Sequence, residues 1–188
     1  MAKGHLFVIS GASGVGKSTV LAQVTAKRPD LQFSVSATTR PPREGEIDGV
    51  HYSFISREQF MEMVERDAFA EYDIHHAACY GTPREQLEQK LENGHVFLDI
   101  DPNGAFQVRE KYPGVTLIFI MPPSFEVLEQ RLRGRADGMS EEKILGRLGR
   151  AKWEMEQSEK YDCVVVNDQV ERCAQEILNI ISAKEHEE

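Results

Sequence analysis

The residues whose types and spacing most clearly suggest chemistry lie at 11–18, where the sequence is GASGVGKS. This G-x-x-x-x-G-K-S spacing is typical of a phosphate-binding loop, and it directly follows the apolar run at 6–9. The glycines let successive backbone N–H groups converge on phosphate oxygens, and the following helix presents the positive end of its dipole to the same anion. Lys17 would supply a charge near a transferred phosphoryl group, and Ser18 a hydroxyl for Mg²⁺. The alternative is a glycine-rich turn that merely joins a strand to a helix; the strand-then-helix context favours a nucleoside triphosphate site.

Two acidic residues are candidates for the metal side of this site. Asp99 and Asp101 follow the apolar run at 96–98. A P-loop fold needs a carboxylate directed at Mg²⁺, and ligands of open α/β sheets bind beyond the carboxyl ends of the strands. An aspartate that only ends a strand in a turn is the alternative. We predict that three residues hold Mg²⁺, partly through water: Ser18, Asp99 and Asp101.

The arginines of interest form two groups. Arg40 and Arg43 flank a rigid Pro-Pro pair, and guanidinium forks suit bidentate phosphate recognition, so this segment could hold the phosphate of an acceptor nucleotide. The second group surrounds a charged, glycine-containing break at 131–138 and fits a lid that neutralises charge in the transition state. Its members are Arg131, Arg135 and Arg147. The alternative for each arginine is a solvated surface charge.

Apolar runs and helical periodicities alternate along the chain, which predicts a parallel sheet with helices on both faces. The predicted strands are 6–10, 33–36, 69–76, 96–98, 115–121 and 163–166. The predicted helices are 17–28, one that begins at Ser56, 83–91, 106–110, 124–132, 140–156 and 170–181. Residues 37–52 combine prolines, glycines and alternating charges and predict a loop. Residues 33–82 interrupt the alternation and predict an insertion that could hold a second substrate.

Composition narrows the functional classes. The formal net charge of −9 argues against a non-specific nucleic-acid binder, which would show a basic face. The three cysteines are far apart and form no C-x-x-C pair, so neither a disulfide framework nor a zinc site is indicated. The N-terminus lacks a signal-peptide pattern, and no apolar stretch is long enough to cross a bilayer. We expect a cytoplasmic protein with neither nucleic acid nor a membrane as partner.

Several longer motifs together resemble the guanylate kinase family over about residues 5–182. The similar segments are ISGASGVGKST, SVSATTRPPREGEIDGVHY, YGTP, LDIDPNGA, PPS, RLRGR and VVVND. The resemblance implies a P-loop NTPase-type parallel sheet flanked by helices, with an inserted GMP-binding subdomain and a helical lid. Within one domain, the implied core is 1–32, 83–134 and 148–188, the GMP-binding insertion is 33–82, and the lid is about 135–147.

The resemblance also implies roles for individual residues. The implied catalytic residues are Lys17, Arg43, Arg131, Arg135 and Arg147. The implied ATP-binding residues are Gly11, Ala12, Ser13, Gly14, Val15, Gly16, Lys17, Ser18, Thr19 and, near the adenine, Asn167. Contacts to the GMP phosphate would come from Arg40, Arg43, Tyr52 and Tyr80. Contacts to guanine would come from Ser36, Glu71, Thr82 and Asp99.

The guanine set makes chemical sense, because guanine N1–H and its N2 amino group are donors that a carboxylate accepts. The O6 atom of guanine is an acceptor that a hydroxyl satisfies, whereas adenine would leave the carboxylates facing an acceptor nitrogen. The implied reaction is Mg²⁺-dependent transfer of the γ-phosphoryl group of ATP to GMP or dGMP. The implied cofactor is Mg²⁺, and the implied partners are ATP and GMP. Whether the protein forms a homo-oligomer stays open. Two alternatives stay open: a catalytically silent guanylate-kinase-like binding module, and a small kinase for another phosphorylated acceptor such as a ribose bisphosphate.

Overall fold

The structure is a computed structural model that describes residues 4–74, 77–134 and 139–185. Its strands are β1 (Leu6–Gly11), β2 (Gln32–Phe33), β3 (Ala37–Thr38), β4 (Ser53–Phe54), β5 (Phe69–Ile74), β6 (Cys79–Pro83), β7 (Val96–Asp99), β8 (Thr116–Met121) and β9 (Cys163–Val166). Its helices are α1 (Lys17–Lys27), α2 (Arg57–Glu65), α3 (Arg84–Asn93), α4 (Pro102–Lys111), α5 (Phe125–Gly134), α6 (Glu141–Glu156) and α7 (Val170–Glu185). A 3₁₀ turn, Gln157–Lys160, follows α6. Within these described ranges no helix is both long and apolar enough to cross a membrane.

The chain divides into two compact units, which are described separately. The first unit contains Leu31–Leu98 and Asn103–Val115, with the N-terminal residues through Leu6. The second unit contains Phe7–Asp30, Asp99–Pro102 and the chain from Thr116 onward. The predicted division into a core, a GMP-binding insertion and a lid stays a prediction.

The second unit contains three parallel strands in the order β1-β8-β9. Phe7 pairs with Thr116 at the start of β1, and Ile118 pairs with Cys163 where β8 meets β9. Strands β1 and β8 are nearly continuous buried apolar runs, as expected where both faces of a parallel sheet are covered. Helix α7 packs on β9 and on α1. The predicted parallel α/β architecture is therefore confirmed.

The first unit combines a parallel pair with a small mixed sheet. Strand β2 pairs with β7 in parallel, and a second sheet has the order β4-β3-β6-β5 with antiparallel β3–β6 and β5–β6 pairs. Phe60 of α2 stacks on Phe69 of β5 with ring centroids 4.6 Å apart. Helix α2 begins as predicted, because the Ser56 side chain accepts from the Gln59 N–H and Gln59 in turn accepts from the Ser56 N–H. Apart from Pro83, this sheet lies within the predicted insertion 33–82.

Some predicted elements are shifted or missing in comparison with the structure. Residues 37–52 were expected to form a loop, yet β3 lies there, and the strand expected at 33–36 is instead β2. Strand β6 was not predicted, because Gly81 and Pro83 disfavour a strand by local pattern. Strands β3 and β6 form because they pair with each other, although about 40 residues of chain separate them. No local sequence pattern indicates that pairing.

Several helix boundaries also differ, among them the start of α4, which lies at Pro102 and not at 106. Pro83 is the last residue of β6 and lies just before α3, whereas the prediction placed it in the first turn of the helix. The glycine-containing break expected at 131–138 does not begin at 131, because α5 continues to Gly134. Its basic residues Arg131 and Arg133 lie in the last turn, where they complement the negative end of the helix dipole.

Candidate functional site

The phosphate loop lies between β1 and α1, in the strand–loop–helix context that its sequence predicts. Gly14 and Gly16 have φ values of 89° and 96°, in the left-handed region that favours glycine. A Cβ at Gly14 would lie 2.5 Å from Cδ2 of Leu132, so a side chain is also excluded by packing. The Val15 N–H donates to the Ala12 carbonyl at 2.9 Å and closes the turn. The loop backbone is therefore folded into a tight, glycine-dependent turn ahead of the N-terminus of α1.

Lys17 and Asp99 come together in the second unit. Lys17 is the first residue of α1 and Asp99 the last residue of β7, and their side chains form an ion pair. The Asp99 side chain stays 40% exposed, so a ligand can reach it. The Ser10 hydroxyl donates to the Ile100 carbonyl at 2.7 Å and fixes the segment that leads to Asp101. The predicted phosphate-binding lysine and the predicted metal-directed aspartate are thus adjacent.

Asn167 and Arg131 hold the backbone of the phosphate loop. The Asn167 amide donates to the Val15 carbonyl at 2.8 Å, and Arg131 donates to the same carbonyl at 3.1 Å. Arg131 also donates to the Asn167 carbonyl at 3.0 Å. The other amide atom of Asn167, Oδ1, is buried and has no hydrogen-bond partner within 4–74, 77–134 and 139–185. Both predicted nucleotide-site residues therefore lie at the loop, and one keeps an unused acceptor atom.

The remaining lid residues are described in part. Arg147 of α6 directs its guanidinium to the Ser13 hydroxyl, at 3.3 and 3.4 Å. Arg135 lies outside the described residues. Arg131 and Arg147 are thus both brought to the phosphate loop.

The phosphate loop continues into the first turn of α1, where Ser18 and Thr19 are exposed.

In the first unit, Arg40 is held by a carboxylate that the sequence analysis missed. The two oxygens of Glu46 accept from the two terminal nitrogens of Arg40, at 2.6 and 2.7 Å. The Arg43 N–H donates to the same carboxylate at 2.7 Å. These donors lower the pKa of Glu46 to about 2, and the carboxylate together with the Tyr80 hydroxyl holds the pKa of Arg40 above its usual range. The signal in the sequence was the alternation of charges through 40–46.

Two tyrosines lie beside this pair. The guanidinium carbon of Arg40 lies 5.0 Å from the ring centroid of Tyr52, a cation–π geometry. Tyr52 and Tyr80 meet edge to face with ring centroids 6.0 Å apart. All four residues predicted at the GMP phosphate therefore lie around Arg40 and its partner Glu46, with Arg43 contributing through its backbone: Arg40, Arg43, Tyr52 and Tyr80.

Glu71 and Thr82 form a buried polar pair on neighbouring strands. They are register partners in β5 and β6, and the Thr82 hydroxyl donates to Glu71 Oε1 at 2.6 Å. Glu71 is only 4% exposed, so this hydrogen bond offsets part of the cost of burying the carboxylate. Ser36 lies between β2 and β3, where its carbonyl accepts from the Ser53 N–H at 2.9 Å. Among the residues predicted to contact guanine, Glu71 and Thr82 are hydrogen-bonded to each other.

The donor atoms at the predicted metal side are hard oxygens, which suit Mg²⁺. Asp99 and Asp101 provide carboxylates and Ser18 a hydroxyl, and each aspartate is already paired with a cation, Lys17 and Arg150 respectively. No group of three or more His, Cys, Asp or Glu side chains that could hold a metal exists among the described residues. This donor set fits a cation that keeps several waters, rather than an ion enclosed by protein ligands.

Comparison with known proteins gives one consistent result. The family model for guanylate kinase matches residues 3–184. The guanylate kinase of Neisseria gonorrhoeae is 47% identical over 182 residues, which is 96% of this chain and 88% of that protein. A guanylate kinase of Thermus thermophilus is 46% identical over 183 residues, which is 97% of this chain and 82% of that protein.

A solved structure agrees in fold. The crystal structure of guanylate kinase from Anaplasma phagocytophilum matches with a TM-score of 0.78 at 34% identity, covering 98% of this chain and 87% of that chain. The parallel sheet, the phosphate loop and this similarity over nearly the whole chain lead to one assignment. The chain belongs to the guanylate kinase family.

Proposed function

We propose that this protein transfers the γ-phosphoryl group of ATP to GMP and releases ADP and GDP. The observation that carries this proposal is the similarity to guanylate kinases over nearly the whole chain, together with an intact phosphate loop whose Lys17 is paired with Asp99. A binding module without catalytic activity would not need the lysine, the serine and the left-handed glycines of this loop. We extend the proposal to dGMP as a second acceptor.

The phosphate loop and the arginines beside it are assigned to the triphosphate of ATP. The loop amides and the α1 N-terminus would bind the phosphates of ATP, and the ammonium group of Lys17 would stabilise negative charge on the transferred group. Arg147, at the Ser13 hydroxyl, is positioned to add a second positive charge. We also assign Arg131 and Arg135 to this task. Such fixed charges lower the barrier because they need no reorganisation when charge develops.

The residues around Arg40 are assigned to the phosphate of GMP. Arg40 is already oriented by Glu46, so the arginine loses little side-chain freedom when a phosphate arrives. Tyr52 and Tyr80 would add hydroxyl donors, and Arg43 a second guanidinium. Direct in-line transfer to an oxygen of this phosphate requires no covalent enzyme intermediate.

The buried Glu71–Thr82 pair supports recognition of guanine. Glu71 is a buried carboxylate, the kind of acceptor that guanine N1–H and the N2 amino group require, and the Thr82 hydroxyl donates to its Oε1. We also assign Ser36 and Asp99 to the base. Adenine presents an acceptor nitrogen at N1, and a buried carboxylate facing it would cost about 1–3 kcal/mol.

We assign Mg²⁺ to the residues Ser18, Asp99 and Asp101, partly through water. When bound, the ion would supply positive charge that offsets the negative charge of the ATP phosphates. Because ATP and GMP are intracellular nucleotides, the proposed reaction belongs to purine nucleotide metabolism in the cytoplasm.

An acceptor panel tests this function. ADP release would be followed with ATP and Mg²⁺ and with GMP, AMP, CMP, UMP or IMP as acceptor. We expect turnover with GMP to exceed turnover with AMP by at least about 100-fold, the discrimination of a site built on buried polar groups. Equal rates with AMP and GMP would contradict the base recognition, and no turnover with any acceptor would favour the binding-module alternative.

A further inference from the structure

Glu154 is a buried acidic residue that contacts the phosphate loop. It lies in the last turns of α6 and is only 4% exposed. Its Oε2 atom accepts a hydrogen bond of 2.7 Å from the backbone N–H of Ser13. A carboxylate buried next to an anion-binding loop is unfavourable by itself, because it loses hydration and repels phosphate.

Arg150, one helical turn earlier, compensates this charge. Its Nε donates to the other oxygen of Glu154 at 2.9 Å, and one terminal nitrogen donates to Asp101 at 2.9 Å. Hydrogen bonds therefore run from the Ser13 amide through Glu154 and Arg150 to Asp101, all within the second unit. This path joins the phosphate loop to the segment after β7 that we assign to the metal side.

We propose that Glu154 is a positioning residue that fixes the Ser13 peptide in the phosphate-binding conformation, and that Arg150 orients it. The inference rests on the proposed function only in naming ATP as the ligand of the loop. A charge-assisted hydrogen bond to one peptide restricts its rotation, so the neighbouring amides stay directed at the phosphates. The positive charge of Arg150 balances the negative charge of Glu154, so the carboxylate repels a bound anion less.

The test compares Glu154→Gln with a matched control, Glu156→Gln, which removes the same charge from an exposed position on the same helix. Equilibrium binding of ADP and, separately, of GMP would be measured by calorimetry. We expect Glu154→Gln to weaken ADP binding about 10- to 100-fold, the usual range for a hydrogen bond to a charged group. GMP binding, most of whose assigned residues lie in the first unit, should change less than about twofold, and the control should change neither.

A double-mutant cycle with Arg150→Met tests the path itself. If Arg150 acts through Glu154, the loss of ADP affinity in the double variant will be clearly smaller than the product of the two single losses. Multiplicative losses would overturn this part of the proposal, because they indicate two independent contributions.

Two further outcomes would overturn the role of Glu154. One is ADP binding in Glu154→Gln that equals the control, and the other is an equal loss of ADP and GMP binding, which indicates general destabilisation. The Gln side chain keeps the shape of Glu, so the variant is expected to fold, and a thermal melt checks this. Since ADP binding is measured without turnover, a wild-type protein that binds ADP but does not phosphorylate GMP would refute the proposed function and not this inference.

Discussion

The ammonium group of Lys17 is ion-paired with the carboxylate of Asp99, although 82 positions separate the two residues in the chain. Lys17 begins α1 and Asp99 ends β7, so the pair joins the phosphate loop to a strand end. Both side chains are partly exposed, at 22% and 40%. The pair is therefore accessible to a ligand, and phosphate oxygens can replace the carboxylate as the partner of the lysine.

This geometry predicts that Lys17→Met will lower kcat by at least about 100-fold, as expected for loss of a group that stabilises transition-state charge. GMP affinity should change far less than kcat, because all of its assigned residues except Asp99, the ion-pair partner of Lys17, lie in the first unit. Steady-state kinetics and calorimetry measure the two quantities. Lys27→Met, in the exposed last turn of the same helix, is the control and should leave both unchanged. Near-normal turnover in Lys17→Met would refute the role of the loop.

The hydrogen bond from Thr82 to Glu71 predicts an effect on base selection. Glu71→Gln should lower kcat/KM for GMP by about 10- to 100-fold, because a charged acceptor for guanine is lost. IMP lacks the N2 amino group, so the wild-type protein should have a smaller kcat/KM with IMP than with GMP. The substitution should lower the value for IMP less, so the ratio of kcat/KM for GMP to kcat/KM for IMP should decrease. Thr82→Ser keeps the hydroxyl and should keep the ratio. An unchanged ratio in Glu71→Gln would exclude Glu71 from the base site.

Glu46 gives a prediction about pH. Its pKa is lowered from 4.5 to about 2 by Arg40 and the Arg43 amide, so the folded protein binds the proton less readily than the unfolded chain. The stabilisation from this pair is therefore fully present above pH 4.5 and is lost as the pH falls towards 2. A carboxyl-detected NMR titration should show the low midpoint, and Arg40→Ala should move it back towards 4.5. A midpoint near 4.5 in the wild type would contradict the pair.

The reciprocal hydrogen bonds of Ser56 and Gln59 predict a local effect on stability. Ser56→Ala should lower the free energy of unfolding by about 1 kcal/mol and the Tm by about 2–4 °C. Ser56→Thr retains a capping hydroxyl and should lower the Tm less. Circular dichroism melts measure both variants. Turnover with GMP should stay unchanged in Ser56→Ala, and a large loss of activity would show that the cap affects more than α2.

Features that depend on local sequence were predictable. The loop at 11–18 and the start of α2 at Ser56 each rest on residues within one or two turns of one another. The parallel strands β1 and β8 were predictable because buried parallel strands are continuous apolar runs. Strand β9 is also an apolar run, although only Val165 of its four residues is buried. For such elements the residue types alone determine the conformation.

Features that depend on distant pairing were not predictable. Strands β3 and β6 contain little apolar periodicity and exist because they pair with each other. Glu154 lies 141 positions from Ser13, and in sequence it resembles any acidic residue on an amphipathic helix. The Glu46 carboxylate was likewise one of several alternating charges. Only the folded chain shows which of these charges are buried or paired.

The central claim is that the γ-phosphoryl group of ATP is transferred to GMP, and the transfer itself can be followed. ATP labelled in its γ-phosphate would be incubated with the protein, Mg²⁺ and either GMP or AMP, and the products separated. We predict that the label appears in the β-phosphate of GDP, with little label in the AMP reaction. Label released only as inorganic phosphate, or transferred equally to AMP, would contradict the claim.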